Sequence, residues 1–252
     1  MNNVFTIKHP NGKTYKMFLP WSDFDFLQKM LAKNLKPYEF TMLLDIAGRI
    51  NKDEVFLDVG ANIGNHSIFI ACYGIEVLAF EPNNELLPIL KKSIHLNHLK
   101  NKITVYPLAL GAKKTKADFK EVNLQNRGAQ SLTLDVGEIS VVPYDSLGID
   151  KKVSVIKIDT EGMEYDVLRG MAKTISRFSP PIYFECNNID DLSSIFDFMN
   201  EHDYFYWDTF NSTPTHLFLH KTSITDNESR KKRLIYFTEH LKRSIIPHTR
   251  LS

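Results

Sequence analysis

The chain has 252 residues, of which 43% are hydrophobic and 24% are charged, and its formal net charge is +1. This is an ordinary globular composition, and the balanced charge argues against a protein that binds nucleic acid through a strongly basic surface. Two cysteines, Cys72 and Cys186, cannot form a disulfide framework, so we expect a reducing, cytoplasmic setting. The first residues lack the pattern of a secretory signal peptide, and no uncharged apolar segment approaches the roughly 20 residues of a membrane-spanning helix.

The first 50 residues predict a β-hairpin followed by two helices. An Asn-Gly pair between NVFTIKH and KTYKMF supplies the positive φ angles of a tight turn. Ser22 is expected to cap the first helix, with Asp25 three residues later. The second helix is expected to start near Pro37. Its predicted apolar face consists of Phe40, Leu43, Leu44, Ala47 and Ile50. We therefore expect residues 1–50 to form a hairpin and helical extension.

From Val55 onward, short apolar runs alternate with helical segments. The apolar runs VFLDV, IEVLAF, ITVYPLAL, VSVIKI and PIYFEC predict strands, and the stretches between them predict helices, among them EGMEYDVLRGMAKTISRF. This alternation is typical of βαβ units on a parallel sheet that is buried on both faces. Two more apolar runs, YFYWDTF and THLFLHK, predict an antiparallel hairpin that closes the sheet.

Two segments do not fit the alternation. Residues 111–150 are polar, with short β-like pieces, and are inserted between the third and fourth parallel strands. Long loops at such places are often functional, and the tip of this one is Asn126–Gly128. Residues 223–252 contain SRKKR and HLKR and predict a basic helix or tail.

The clearest functional signal is the turn in VFLDVGANIGNHS. A strand ends near Asp58, the chain turns through Gly60 to Gly64, and a helix follows. Glycines at such a turn let the backbone approach a ligand closely. Glu81 ends the next strand, 81 − 60 = 21 positions after Gly60. An acid at about this spacing accepts hydrogen bonds from the ribose hydroxyls of an adenosine.

The pattern favours S-adenosylmethionine as the cofactor. The turn is G-x-x-x-G, which is a poor match to the G-x-G-x-x-G of dinucleotide enzymes and lacks the G-K-[ST] of a P-loop. S-adenosylmethionine carries an adenosine but no pyrophosphate, and Asp58 would suit its amino-acid end. Simple helix capping by Asp58 and Asn62 is the structural alternative, and it leaves Glu81 unexplained. The predicted cofactor-binding residues are Asp58, Gly60, Ala61, Asn62, Gly64, Ser67, Glu81, Pro82, Asn83, Ala109 and Asp159.

Four blocks of sequence resemble the FkbM family of S-adenosylmethionine-dependent methyltransferases. They are VFLDVGANIGNHS, AFEPN, KIDTEGMEYDVLRG and IYFEC, in that order. The resemblance implies a class I methyltransferase fold, an α/β Rossmann-like architecture whose mostly parallel seven-stranded sheet has helices on both faces. It also implies O-methylation of a hydroxyl on a sugar, glycan or secondary metabolite. We therefore expect a methyltransferase domain over residues 51–222, with the 111–150 insertion as a cover for a small-molecule or glycan acceptor.

Carboxylates follow the fourth and fifth predicted strands. Asp159, Glu161 and Glu164 come after VSVIKI, and Glu185 ends PIYFEC. The carboxyl ends of parallel strands meet at one crevice, so these groups should lie near the glycine turn. Crowding should raise the pKa of at least one of them, which would make it a general base for a hydroxyl. The predicted catalytic residues are Asp159, Glu161, Glu185 and His66, the last being an unexpectedly basic residue within the first block.

Several of these residues have structural alternatives. Glu164 lies in a first helical turn, where it would act as a cap. Glu185 would form a salt bridge with Lys157, and His66 would be a cap or surface histidine. Grouped carboxylates also suit a divalent metal ion, which is the less favoured alternative because oxygen ligands alone give no diagnostic spacing. For the whole protein, the alternative is a non-catalytic binding module with a methyltransferase-like fold.

Overall fold

A computed structural model describes residues 3–120, 125–186 and 188–223. The strands within them are β1 (Val4–Lys8), β2 (Thr14–Phe18), β3 (Val55–Val59), β4 (Glu76–Phe80), β5 (Ile103–Tyr106), β6 (Ala109–Leu110), β7 (Thr115–Phe119), β8 (Leu132–Leu134), β9 (Ile139–Val142), β10 (Val153–Ile158), β11 (Ile182–Glu185), β12 (Tyr204–Phe210) and β13 (Thr215–His220). The α-helices are α1 (Phe26–Asn34), α2 (Phe40–Arg49), α3 (Asn65–Ala71), α4 (Leu87–Leu96), α5 (Glu164–Gly170), α6 (Ala172–Phe178) and α7 (Ile189–Glu201). The predicted basic helix or tail lies outside the described residues from residue 224 onward.

Seven strands form the main sheet, in the order β12-β13-β11-β10-β3-β4-β5. Strands β3, β4, β5, β10 and β11 run parallel to one another, and β13 is antiparallel to both β11 and β12. Every residue of β3 and β10 is buried, as expected for central strands with helices on both faces. The predicted α/β fold is therefore confirmed, and the terminal hairpin makes the sheet mixed.

Alternate residues of the central strands enter two separate cores. Phe56 and Val155 face a core that includes residues of α2, α3, α4 and the β1–β2 hairpin. Leu57 and Ile156 face a second core that includes residues of α5, α6 and α7. The N-terminal extension thus completes one face of the sheet, because its own apolar residues pack into the same core as the strands.

Two local predictions in the N-terminal extension are wrong. Asp25, and not Ser22, caps α1, because residues 21–24 form a turn and the Asp25 carboxylate accepts the backbone N–H of Gln28 at 3.0 Å. The predicted face of α2 is also rotated, and the helix begins at Phe40, three residues later than expected. Its buried residues are Met42, Leu43 and Ile46, whereas Phe40 and Leu44 are exposed.

The 111–150 insertion has a sheet of its own. Strands β7, β8 and β9 join β6 in the order β6-β9-β7-β8, with residues 121–124 outside the described part. The insertion packs closely on the helix that follows β10, since a side chain on Gly170 would overlap the carbonyl of Gly111. That helix was predicted as one segment, but the chain leaves helical geometry at Met171, which separates α5 from α6. Among the described residues, none of the helices has the length and apolar character needed to cross a bilayer.

Candidate active site

A cavity of about 290 Å³ lies where β3, β4, β10 and β11 end. Its walls include the four predicted catalytic residues. They also include eight of the eleven predicted cofactor-binding residues: Gly60, Ala61, Asn62, Glu81, Pro82, Asn83, Ala109 and Asp159. The structure therefore brings together residues that follow four different strands, at the edge of the sheet that the parallel arrangement predicts.

The glycine turn has the backbone geometry that its sequence predicts. Gly60, Asn62 and Gly64 have φ angles of 80°, 52° and 89°, in the left-handed region that favours glycine. The N–H groups of Gly60 and Ala61 both donate to the carbonyl of Phe80 at 3.0 Å. A side chain on Gly60 would overlap the carbonyl oxygen of Asp159. The turn is thus fixed against both neighbouring strand ends.

Three predicted cofactor-binding residues, Asp58, Gly64 and Ser67, are not among the residues that line the cavity. Asp58 is fully buried and accepts the Ser67 hydroxyl at 2.5 Å. Gly64 is packed so closely that a side chain there would overlap Leu90. These residues support the turn from within the fold. Asp58 is the penultimate residue of β3, and its carboxylate lies 3.6 Å from Nζ of Lys157, its register partner on β10, which itself lines the cavity.

Lys157 is the buried cation of the site. Its Nζ donates to the Gly60 carbonyl and to Asp159, both at 3.1 Å, and lies 3.6 Å from Asp58. Burial lowers the pKa of Lys157, but the carboxylates of Asp159 and Asp58 outweigh that effect and raise it. Among the described side chains its ion-pair partners are these two aspartates, and not Glu185 as the structural alternative supposed. Lys157 lines the cavity although its sequence pattern suggested a purely structural residue.

Glu81 joins the glycine turn to the end of β4. Its two carboxylate oxygens accept the backbone N–H groups of Asn62 and Asn83, each at 2.7 Å. The residue is only 5% exposed, and burial raises its pKa to about 7 although both N–H groups lower it. Each carboxylate oxygen can accept more than one hydrogen bond, so Glu81 retains acceptor capacity toward a ligand in the cavity.

Asp159, Glu161 and Glu185 form a second acidic group, here called the carboxylate cluster. One carboxylate oxygen from each lies within 4.8 Å of the others. Burial, with the charges of Asp159 and Glu164, raises the pKa of Glu161 to about 7. Burial, with the charges of Asp159 and Glu161, raises the pKa of Glu185 to about 8. Near neutral pH, Glu161 and Glu185 are therefore each partly protonated, so that the cluster can both donate and accept a proton.

Glu164 shapes the loop that carries Glu161. Its carboxylate accepts the N–H and hydroxyl of Thr160, both at 2.9 Å, and the N–H of Gly162 at 3.1 Å. Within this loop Glu161 has a φ of 57°, which a residue with a side chain seldom adopts. Glu164 is not one of the cavity-lining residues. The contacts of Glu164 are therefore those of the predicted cap. Through them, Glu164 holds Glu161 toward the cavity.

His66 is paired inside the cavity. Its Nε2 lies 2.9 Å from Oε2 of Glu39, and both side chains are buried and line the cavity. The adjacent Tyr38 backbone is held by Asn65, which accepts its N–H at 3.1 Å and donates to its carbonyl at 3.0 Å. His66 is thus not a surface histidine. Glu39 was missed from the sequence, because nothing in residues 36–40 indicates which distant residue they meet.

The tip of the insertion also lines the cavity. Gly128 packs on the side chain of Asn62, and Asn83 Nδ2 lies 3.5 Å from the carbonyl of Arg127. These contacts place the tip beside the glycine turn and the residues that bind Glu81. The sequence left open whether the tip covers a ligand or is an exposed polar loop, and it did not indicate this position.

Comparisons with known proteins agree with the sequence blocks. The chain matches the Methyltransferase FkbM domain family over residues 58–206. It is 32% identical over 130 residues to the hexuronic acid methyltransferase AglP of Haloferax volcanii, a match that covers 49% of this chain and 52% of that protein. The crystal structure of a methyltransferase FkbM from Methylobacillus flagellatus KT superimposes with a TM-score of 0.52 and 24% identity, covering 68% of this chain and 44% of that one.

The chain thus spans about half the length of each of these two relatives. The family match is the more informative of these results, because residues 58–206 contain the glycine turn, Glu81 and the whole carboxylate cluster. It covers more than half of the sequence and confirms the resemblance seen in the four blocks. The chain belongs to the FkbM methyltransferase family.

Proposed function

We propose that the protein transfers a methyl group from S-adenosylmethionine to a hydroxyl of a sugar, glycan or secondary metabolite. The observation that carries the proposal is one cavity that joins the buried Glu81 carboxylate to the carboxylate cluster, in which Glu161 and Glu185 have raised pKa values. Family membership supports methyl transfer. The similarity to a hexuronic acid methyltransferase supports an acceptor of the sugar class.

The residues at the turn fit an adenosine-bearing donor. Glu81 is buried, fixed by two backbone N–H groups and still able to accept hydrogen bonds from two ribose hydroxyls. The backbone of Gly60 to Asn62 forms the adjoining wall. When bound, S-adenosylmethionine supplies a methyl group made electrophilic by its positively charged sulfur. Asp159 and Lys157 lie at the turn where the charged amino-acid end of such a donor would need partners.

The carboxylate cluster would manage the acceptor proton. A general base works best when its pKa lies near the working pH, and the pKa of Glu161 is about 7. We assign proton removal to Glu161. Glu185, with a pKa of about 8, is mostly protonated at neutral pH and can donate a hydrogen bond to the acceptor oxygen. His66 with Glu39 is a second pair that can orient or accept a proton, and much of the acceleration would come from positioning.

The carboxylate cluster also offers three oxygen ligands to a divalent cation, which is the second candidate use of the same residues. A bound Mg²⁺ would orient the acceptor oxygen through Asp159, Glu161 and Glu185. The two uses differ in one measurement. Base catalysis without a metal survives treatment with EDTA, whereas metal-assisted transfer is lost and is restored by added Mg²⁺.

Two measurements test the proposed function. Calorimetry should show binding of S-adenosylmethionine and S-adenosylhomocysteine, with dissociation constants on the order of micromolar. Incubation with labelled S-adenosylmethionine and a panel of sugars, nucleotide sugars and glycans should transfer label to an acceptor. Binding without transfer to any acceptor would favour the non-catalytic module, and absence of binding would contradict the proposal altogether.

A further inference from the structure

Residues 125–130, here called the strap, lie against the part of the cavity that contains Glu81. Gly128 packs so closely on Asn62 that a side chain at position 128 would overlap the Asn62 amide. Asn83 Nδ2 lies 3.5 Å from the Arg127 carbonyl. Asn62 and Asn83 are the two residues whose backbone N–H groups bind Glu81. The strap therefore contacts both residues that hold the proposed ribose-binding carboxylate.

The N-terminal extension holds the strap in place. The N–H of Phe26 donates to the carbonyl of Gln125 at 2.8 Å, and the Asp25 carboxylate accepts the N–H of Arg127 at 3.1 Å. The Arg127 guanidinium lies over the ring of Trp21, 4.5 Å from its centroid. It also forms an ion pair with Glu85, which follows β4. Trp21 and Asp25 lie before the region of the family match, so the extension contributes contacts that the family domain alone does not contain.

Gln130 carries a polar group without a partner. The residue is 8% exposed and lines the cavity. Its Oε1 accepts from Asn83 Nδ2 at 3.4 Å, but among the described residues its Nε2 has no hydrogen-bond partner. A buried donor without a partner costs free energy, and native proteins seldom contain one. An unpartnered donor in a cavity wall indicates that a ligand atom accepts from it.

The orientation of the Gln130 amide is fixed by its neighbours. Asn83 Oδ1 accepts the backbone N–H of Glu85 at 2.9 Å, so the Nδ2 of Asn83 must point the other way. That Nδ2 then requires an acceptor, which makes the atom facing it the oxygen of Gln130. The free group of Gln130 is therefore the NH₂ donor and not the carbonyl.

We propose that Gln130 is a cofactor-binding residue, whose side-chain amide donates a hydrogen bond to the adenosine of the methyl donor. The inference rests on the proposed function, and it deepens it by naming a residue of the 111–150 insertion that binds the donor. Adenosine offers acceptors at three adenine ring nitrogens and at the ribose oxygens. Trp21 and Asp25 act as positioning residues, since they touch the strap and place Gln130 against the cavity.

The test compares the full-length protein with Gln130→Met, which has similar size and no donor. We expect calorimetry with S-adenosylhomocysteine to show binding about 5- to 30-fold weaker in the variant, the range for losing a buried hydrogen bond. The melting temperature of the ligand-free variant should fall only slightly, because Nε2 has no protein partner to lose and the contact of Oε1 with Asn83 Nδ2 is long, at 3.4 Å. Equal affinity in wild type and variant would overturn the inference.

Cofactor analogues separate a direct contact from a structural effect. The probes are S-adenosylhomocysteine and its versions in which one adenine ring nitrogen is replaced by CH or one ribose hydroxyl is removed. The analogue that lacks the atom bound by Gln130 should bind the wild type more weakly than S-adenosylhomocysteine does. Gln130→Met should bind this analogue and S-adenosylhomocysteine equally, because the variant has already lost the contact. A uniform loss across all analogues would show a structural role and overturn the assignment of Gln130. Failure of the wild type to bind any of them would refute the proposed function itself, which is a distinct result.

A matched pair of tryptophan variants tests the positioning role. Trp21→Leu removes the ring under Arg127, and Trp207→Leu removes the other tryptophan of the chain, which lies on β12. We expect Trp21→Leu to weaken S-adenosylhomocysteine binding about 3- to 10-fold and Trp207→Leu to leave it within about twofold. The Trp21→Leu and Gln130→Met effects should be less than additive, because both act through the same hydrogen bond. Additive effects would contradict the positioning role.

Discussion

The two acidic parts of the cavity use carboxylates in opposite ways. Glu81 stands alone, and each of its oxygens is bound by a backbone N–H at 2.7 Å. The carboxylate cluster combines Asp159, Glu161 and Glu185; Asp159 raises the pKa of both glutamates, and Glu161 raises that of Glu185. Backbone donors cannot titrate, whereas neighbouring carboxylates can. This contrast supports the proposed division, in which Glu81 binds the donor and the cluster exchanges protons.

The pKa values alone would not separate these roles. Glu81 and Glu161 both have a pKa raised to about 7, and burial is the largest cause for each. The difference lies in what opposes burial. For Glu81 it is chiefly two fixed N–H groups, with Lys157 a smaller contribution, whereas for Glu161 it is Lys157 without any N–H group, and the charges of Asp159 and Glu164 add to the rise. The contacts around a group therefore indicate its role better than its pKa does.

The largest effect should come from Glu161→Gln, which removes the proposed base and keeps its shape. We expect turnover to fall about 100- to 1000-fold, within the range for general base catalysis. Binding of S-adenosylhomocysteine should change by less than about threefold, because Glu161 lies in the cluster and not beside Glu81. Steady-state kinetics and calorimetry measure the two quantities, with the exposed Glu138→Gln as control. Full turnover in Glu161→Gln would show that another group takes the proton.

The converse change is Glu81→Ala, which should affect binding more than chemistry. Losing a charged partner for two hydroxyls predicts a 10- to 100-fold weaker affinity for S-adenosylhomocysteine, or about 1.4–2.7 kcal/mol. At saturating cofactor, turnover should recover to within about fivefold of the wild type. Calorimetry and saturation kinetics check this pair of outcomes. A turnover defect that saturating cofactor does not repair would mean that Glu81 and the cluster do not have separate roles.

The charge of the cluster predicts a preference among acceptors. Glu39 and the three cluster carboxylates line the same cavity, and Lys157 is already paired with Asp58 and Asp159. An acceptor that carries its own carboxylate should therefore bind poorly. For pairs of sugars that differ only in CH₂OH against COO⁻, we expect about tenfold higher kcat/KM for the neutral member, or ~1.4 kcal/mol. Measured above pH 8, where Glu185 is ionised, Glu185→Gln should narrow that ratio, and a preference for the uronate would contradict the prediction.

Much of this site could be predicted because it depends on local order in the chain. Apolar runs mark the strands, and the residues at their carboxyl ends meet at one edge of a parallel sheet. That rule alone places Glu81, Asp159, Glu161 and Glu185 in one cavity.

Other parts of the site depend on contacts between distant segments. Arg127 meets Asp25 across 102 positions of sequence, and His66, in α3, meets Glu39 at the start of α2. Such contacts follow from how a loop and a helix pack after the sheet has formed, and no periodic pattern records them. The position of the strap beside Glu81 belongs to the same class. A long polar insertion in the sequence suggests a loop over a site, but it does not show which residues of the site the loop contacts.

The smallest expected effect concerns stability and pH, and it also distinguishes the two acidic parts of the cavity. The pKa of Glu185 rises from 4.5 to about 8 on folding, first through burial and then through Asp159, Glu161 and Glu39, with Lys157 opposing. The folded state thus binds this proton more tightly than the unfolded state. The contribution of the Glu185 proton to the free energy of unfolding is therefore complete below pH 4.5 and is lost as pH rises through about 8.

Between pH 5 and pH 8 the melting temperature of the ligand-free wild type should therefore decline. Glu185→Gln cannot lose this proton, so it should reduce the decline by on the order of 2 °C, a small effect because the group is partly exposed. Scanning fluorimetry at several pH values measures it, with Glu138→Gln as the control. Because Glu81 keeps its own pKa near 7, part of the decline should persist in Glu185→Gln. A slope identical to that of the wild type would show that the cluster is already neutralised by another charge.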